Sequence, residues 1–212
     1  RPPIPEWVRQ TIRIAPVSPE SFRIPFEGER LRAIGLVDDQ VVTESVACDP
    51  NLVDGHAIAG GALAKIAVVE RHLATGRVGL GFVTGSGLTD GALASSVAHD
   101  AHNLVVVGMS DAELAHAVRR LEELGGGLVV VRGNEVVAEC PLTVAGLLSE
   151  APLADVIDQS RACNEAARAL GWTGATPFLT VAFLALSVIP HLKITDLGLV
   201  DVDRFELVPL QI

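Results

Sequence analysis

Tyrosine is absent from the 212 residues, and Trp and Phe bring the aromatic share only to 4%. That leaves no stacking platform of the kind single-stranded nucleic acid needs. Cations are scarce too: 16 Lys and Arg stand against 26 Asp and Glu, a formal charge of −10. Phosphate-backbone binding requires clustered Lys and Arg, so nucleic acid is excluded as a partner. Three cysteines, Cys48, Cys140 and Cys163, lie far apart and form no CxxC pair. This excludes a zinc knuckle and a disulfide framework, and predicts buried free thiols in a reducing, cytoplasmic setting. The only Met is Met109, and the chain opens on Arg1-Pro2-Pro3. No signal peptide is visible, and the start reads as a boundary or a cut. Long apolar runs are missing as well. Phe178 to Ile189 is only a dozen residues and is bracketed by Pro177 and Pro190, whereas a membrane span needs roughly 20. A buried core element is expected there, and no membrane is expected as a partner.

What is present is an apolar fraction of 49% with only 20% charged residues, the composition of a folded protein rather than a disordered one. Residues 1–20 hold five prolines and Trp7 and read as a Pro-rich arm or linker lying on a neighbour rather than a packed element. One domain over residues 21–212 is expected to follow. Strands are predicted at Phe22–Phe26, Leu31–Val37 and Gln40–Ala47, with Asp38-Asp39 as a hairpin turn. Lys65–His72, Val78–Val83, Ala92–Ala98 and Leu104–Gly108 continue the series. Leu104 to Val107 shows no alternation, so that strand should be covered on both faces. Then the period changes. Ser110 or Asp111 caps a helix carrying Leu114, Ala117, Val118 and Leu121, and Gly125–Gly127 ends it. Gly133-Asn134 predicts a tight hairpin between Leu128–Arg132 and Glu135–Glu139. A second helix spans Leu153–Leu170, with a stripe of Val156, Ile157, Ala162, Cys163, Ala166, Ala167 and Leu170 and with Gly171 as its C-cap. The tail from Leu199 to Leu210 is expected to return as an edge strand. Strands interspersed with two sizeable helices give an α+β fold with mostly antiparallel sheets.

The residues that ask for chemistry are Ser95-Ser96-Val97-Ala98-His99-Asp100-Ala101-His102-Asn103. His and Asp are suitable ligands for a divalent cation, and loops at strand ends are where binding groups are displayed. His99 and His102 are three apart, so only a turn between them brings both imidazoles to one side. A metal here would take His99, Asp100 and His102; a small ligand or an interface would also use Ser96 and Asn103. The structural alternative is a polar turn in which Asp100 and Asn103 hold the backbone. Secondary candidates are Glu70, Arg71 and His72, which with Lys65 can form ion pairs along a sheet face. His56 reads as a loop histidine, and His116 and His191 have no evident partner. Gly79-Leu80-Gly81 and Gly85-Ser86-Gly87 fit neither a dinucleotide fingerprint nor a hydrolase elbow and read as turn glycines.

Several strings occur together and in order: Ala67-Val68-Val69-Glu70-Arg71-His72, Gly81-Phe82-Val83, Ser95 to Asn103, Ala145-Gly146-Leu147, Phe183-Leu184-Ala185-Leu186, Val188-Ile189-Pro190 and Leu192-Lys193 with Thr195-Asp196. In this company the chain resembles the C-terminal domain of bacterial adenine deaminases, from about Ile12 to Leu210. It departs from the family's usual pattern at Thr143-Val144, Ser187, His191 and Thr89-Asp90. The resemblance implies a metal-dependent amidohydrolase barrel ahead of this domain, where manganese or iron activates water to turn adenine into hypoxanthine and ammonia. No two histidines here stand two residues apart as that barrel's first ligands do, and such a barrel takes about 250 residues by itself. The expectation is therefore a supporting domain or subunit with no catalytic residue of its own, packed against a barrel and able to self-associate. The alternative is a stand-alone binding or assembly module that uses the His99–Asn103 loop for a metal or small ligand. An independent enzyme acting at that loop is the third reading.

Overall fold

The computed structural model describes residues 3–38 and 40–212. Its centre is an eight-stranded sheet in the order β11-β10-β8-β9-β6-β7-β2-β3. The strands are β2 (Leu31–Leu36), β3 (Thr43–Cys48), β6 (Leu63–Val69), β7 (Val78–Thr84), β8 (Ala92–Ser95), β9 (Leu104–Gly108), β10 (Gly127–Arg132) and β11 (Glu135–Pro141). β2 runs parallel to β7; every other pairing is antiparallel. The fold is α+β.

The absence of alternation in the central strands has a simple cause. Val105, Val107, Ile66, Val68, Leu93 and Val130 pack into one apolar cluster, while Leu104, Val106, Ala67, Val69, Ala94 and Val129 pack into another. Period two thus persists, but both faces are dry. Helix α1 (Asp111–Leu124) covers the second face through Leu114, Ala117, Val118 and Leu121, and Ser110 caps it by accepting the Glu113 N–H. The first face is covered by α2 (Leu153–Ala169), α3 (Pro177–Leu184) and a meander of β12 (Leu192–Thr195), β13 (Gly198–Asp201) and β14 (Glu206–Val208). A third cluster joins Phe82 and Leu31 to β1 (Ile24–Pro25) and β5 (His56–Ile58), which form a small sheet of their own with β4 (Asn51–Val53).

Several expectations need correction. The predicted strand at Ala92–Ala98 stops at Ser95, because the Ser95 hydroxyl takes the Val97 N–H at 3.0 Å and turns the chain. Lys65–His72 stops at Val69, where the Glu70 carboxylate gathers the following N–H groups. Of Phe22–Phe26 only Ile24–Pro25 pairs. Gln40–Ala47 begins instead at Thr43, and the Asp38-Asp39 turn lies partly outside the described residues. The tail does return as an edge strand, β14 of the β12–β14 meander, and its last residues bridge to the start of β2 through Leu31 and Gln211. His56 belongs to β5 and its Nδ1 donates to the Asp54 carbonyl at 2.8 Å. In α2, Cys163, Ala167 and Leu170 face inward, but Ile157 and Ala162 fall on the exposed side of the 3.6-residue turn. Cys48 is only half-buried, unlike Cys140 and Cys163, and burial pushes the Cys163 thiol up to about 12.

The arm is packed against its own chain over its second half. Ile14 is buried, the Arg13 N–H donates to the Arg71 carbonyl at 2.8 Å, and the Ala145 N–H donates to the Val8 carbonyl at 2.6 Å. Its backbone groups find partners on the body, which prolines elsewhere in the arm could not supply. The core element at Phe178–Ile189 is the short helix α3 followed by turns, and among the described residues no helix is long and apolar enough to cross a membrane.

One contact sets the distance between the main sheet and the meander. A Cβ on Gly79 in β7 would lie 1.9 Å from the Thr195 carbonyl oxygen at the end of β12. No rotamer relieves a clash with backbone, so Gly79→Ala has to push the meander away. Its urea midpoint should fall by the equivalent of about 1–3 kcal/mol with the m-value unchanged. An unaltered midpoint would show that the meander floats on the sheet.

Candidate functional site

The antiparallel pairing brings particular strand ends to one edge of the sheet. The C-terminal ends of β6, β8 and β11 meet the N-terminal ends of β7, β9 and β10. Glu70, Arg71 and His72 follow β6, Ser96 to Asn103 link β8 to β9, and the 142–148 turn follows β11. All the candidate site residues therefore lie at this edge.

The loop does turn as the spacing of its histidines requires. The His102 N–H donates to the Ala98 carbonyl at 2.7 Å, and the His99 and His102 rings meet edge to face with centroids 5.6 Å apart. His99 also packs on Phe183 of α3, centroids 5.0 Å apart, and its N–H donates to the Ala182 carbonyl. His72 comes to the same place from β6, donating from Nε2 to the Ala101 carbonyl at 2.7 Å. Beneath them Arg71, only 3% exposed, donates from Nε to the His102 carbonyl and from both terminal nitrogens to the Ala145 carbonyl at 3.2 Å. The guanidinium is buried against carbonyl oxygens with no carboxylate among its described partners, and burial pulls its pKa down. It presses on Gly146, where a Cβ would lie 2.2 Å from an Arg71 terminal nitrogen, so only glycine fits.

Ser96 is wholly spent on backbone. Its hydroxyl accepts the Gly127 N–H at 2.7 Å and donates to the Gly146 carbonyl at 2.6 Å. Asn103 is buried; its Oδ1 accepts the Arg71 N–H and its Nδ2 donates to Asp196, which also takes Arg77. Among the described residues Glu70 makes no ion pair, contrary to expectation. Burial by itself would raise its pKa, but N–H groups of Thr75, Leu73 and His72 and the Thr75 hydroxyl together hold it down to about 2. Among the described residues it is Lys65 of that segment that is ion-paired, with Asp111, while its Nζ also donates to the Phe22 carbonyl. Asp100 is exposed and holds no backbone group among the described residues, so the polar-turn role falls to Ser95, Ser96 and Asn103. His116 and His191 have partners after all, the Gly133 carbonyl and Asp203.

A metal does not fit the loop as it stands. No three His, Cys, Asp or Glu side chains among the described residues are placed to hold one ion. The His102 Nδ1 accepts the Ala98 N–H at 3.3 Å, which puts the ring proton on Nε2 and leaves neither nitrogen a free lone pair. Burial, the neighbouring His99 and Arg71 all lower the His102 pKa, so the ring is neutral. Two polar residues outside the candidate set hold distant segments together. Asp196 anchors Asn103, and its only signal is the Lys193-x-Thr195-Asp196 string. Lys193 is fully buried, donates to the Val41 carbonyl at 2.7 Å, and is pushed by burial down to about 8.

With the geometry in view, comparison with known proteins is direct. The profile of the Adenine deaminase C-terminal domain family matches residues 40–206. The chain belongs to this family. It is similar to an adenine deaminase of Oleidesulfovibrio alaskensis, 48% identical over 202 residues, which cover 94% of this chain and 35% of that protein. An adenine deaminase of Cereibacter sphaeroides is 48% identical over 95% of this chain and 36% of its own length. Adenine deaminase 2 of Carboxydothermus hydrogenoformans is 45% identical over 97% of this chain and 36% of its own. This adenine deaminase C-terminal domain thus spans about a third of the curated relatives it matches.

Two outcomes test the reading of the loop. Ser96→Ala leaves the Gly127 N–H and the Gly146 carbonyl unpaired and should cost about 1–3 kcal/mol in urea unfolding, whereas Asp100→Ala should stay within about 0.5 kcal/mol. Equal losses would restore the structural role to Asp100. Glu70 carries the acid limb. Its folded pKa, about 2, lies below the ordinary 4.5, so its contribution is complete above pH 4.5 and disappears as pH falls toward 2. Unfolding measured across that window should show a slope that Glu70→Gln flattens; an identical slope in the variant would remove Glu70 from the account.

Proposed function

We propose that this domain supports an adenine deaminase, with the hydrolytic chemistry residing in the portion of the longer protein that precedes it. The observation that carries this reading is a family match over residues 40–206 in a chain spanning about a third of the matched adenine deaminases. The polar groups of its own candidate site support it further. Ser96, Asn103, Glu70 and Arg71 are all engaged with backbone or with one another. None is left as a free nucleophile or base, which general acid–base or covalent catalysis would require. The reaction supported is adenine plus water giving hypoxanthine plus ammonia, in the cytoplasm, where the free thiols stay reduced. Manganese or iron belongs with the preceding amidohydrolase barrel. Self-association of the full protein is part of the same proposal.

The isolated chain, supplied with adenine and manganese or iron, should release no ammonia above the buffer control. The same chain put in place of the matching segment of the Oleidesulfovibrio alaskensis enzyme should permit release. Chelator-sensitive ammonia release by the purified chain alone would overturn the proposal.

A further inference from the structure

The longer adenine deaminases place the rest of their chain ahead of this domain, so that portion leads into the segment matching the arm. The route of the arm decides which surface it meets. Val8 accepts the Ala145 N–H, Ala145 accepts Arg71, and Arg71 donates to the His102 carbonyl. The arm also pairs with Glu150 through Arg9 and with Arg71 through the Arg13 N–H. The incoming chain is thus two residues removed from the His99–Asn103 loop, at the edge where β6, β8 and β11 end. Large apolar side chains stand exposed on each of the segments this network ties together: Trp7 on the arm at 74%, Leu73 beside His72 at 77%, and Leu148 on the 142–148 turn at 64%. Exposed apolar residues of this size gathered on one edge mark an interaction surface.

A second opening competes with it. A cavity of about 810 Å³ lies between the end of β2, the start of β3 and α3, walled by Leu36, Val41, Thr173, Leu179 and Phe183. Its Leu36 and Val41 side lies beyond the C-terminal ends of β2 and β7, the opposite edge of the sheet, while its Phe183 wall also packs on His99.

Resting on the functional reading above, we propose that the edge bearing Trp7, Leu73, Leu148 and the His99–His102 pair is the surface against which the preceding portion of the adenine deaminase chain docks. Arg71 is its positioning residue: it fixes the His loop, the 142–148 turn and the arm in one frame, so that the three apolar side chains present together. Between them the His102 ring, its Nδ1 taken by the Ala98 N–H, presents its Nε2–H as a directed donor.

Hydroxyl-radical footprinting compares the isolated chain with the same chain in place of the matching segment of the Oleidesulfovibrio alaskensis enzyme. Oxidation of Trp7, Leu73 and Leu148 should fall by about tenfold in the chimera, the order expected when an exposed side chain enters an interface core. Oxidation of Leu179 and Val41 should stay unchanged. Should the chimera fail to fold, the chain is mixed with the preceding portion of that enzyme expressed alone. Leu73→Asp combined with Leu148→Asp should then abolish co-elution, while Leu179→Asp should leave it intact. Protection at Leu179 and Val41, or at none of the five, overturns the proposed surface. Ammonia release from a chimera protected at Leu179 keeps the functional reading and removes only the surface. A chimera protected at Trp7, Leu73 and Leu148 that releases no ammonia keeps the surface and removes the functional reading.

Discussion

A guanidinium taken out of water without a carboxylate beside it is an expensive object, and Arg71 is one. Its cost is offset by two carbonyl oxygens, of His102 and Ala145, that accept its N–H groups. Neither is near it in sequence. The loop between β8 and β9 must turn back to present the first, and the 142–148 turn must come within reach to present the second, which requires Gly146 beneath the terminal nitrogen. Lysine could not take its place, since an ammonium lacks the planar fork that spans both carbonyls. The conformation of the edge follows from this single demand. Ser96 then closes the remaining gap between Gly127 and Gly146.

The rest of the molecule explains why polar chemistry is confined to that edge. The central strands β6, β8 and β9 are buried along their whole length, so a charged side chain within them has to be paired, as Lys65 is with Asp111. Side chains of these three strands' segments that interact with anything outside must therefore sit beyond the strand ends, whereas the edge strands β3 and β11 do expose side chains along their length. One end has the network described; the other opens into the cavity beside α3. Among the described residues, the arm's hydrogen bonds to the body lie at the first.

Local signals were legible where local physics decides. Leu104 to Val107 announced a strand covered on both faces, Ser110 a helix start, and Gly133-Asn134 a hairpin, and each depends only on neighbours in sequence. The β4–β5 hairpin carried the equally local Asp54-Gly55 turn signal and was overlooked because its strands are only three residues long. The site was legible in membership but not in role. Ser96, Asn103 and Arg71 were identified as polar candidates, yet their partners lie between 31 and 93 residues away. Nothing in a window of sequence distinguishes a serine that binds a ligand from one that satisfies a distant N–H. Asp100 shows the converse: its residue type suggests a backbone anchor, but the Ser95 hydroxyl takes the Val97 N–H and the Ala98 carbonyl takes the His102 N–H.

Three of six histidines stand at one edge of a protein with a formal charge of −10, and their surroundings decide what they can do there. A protonated cluster would repel itself, with Arg71 buried beneath it as a further cation. The structure avoids this at His102, where burial, His99 and Arg71 all favour the neutral ring and the Ala98 N–H fixes its tautomer. A neutral imidazole in a fixed tautomer offers one directed donor and almost no field. Its partner must come to it in a set orientation, and long-range attraction contributes little. An apolar rim of Trp7, Leu73 and Leu148 supplies what the imidazoles do not, area to remove from water. Orientation from the histidines and driving force from the rim are what a domain needs when its partner is already tethered to it by the same chain, since the tether provides the local concentration that charge would otherwise provide.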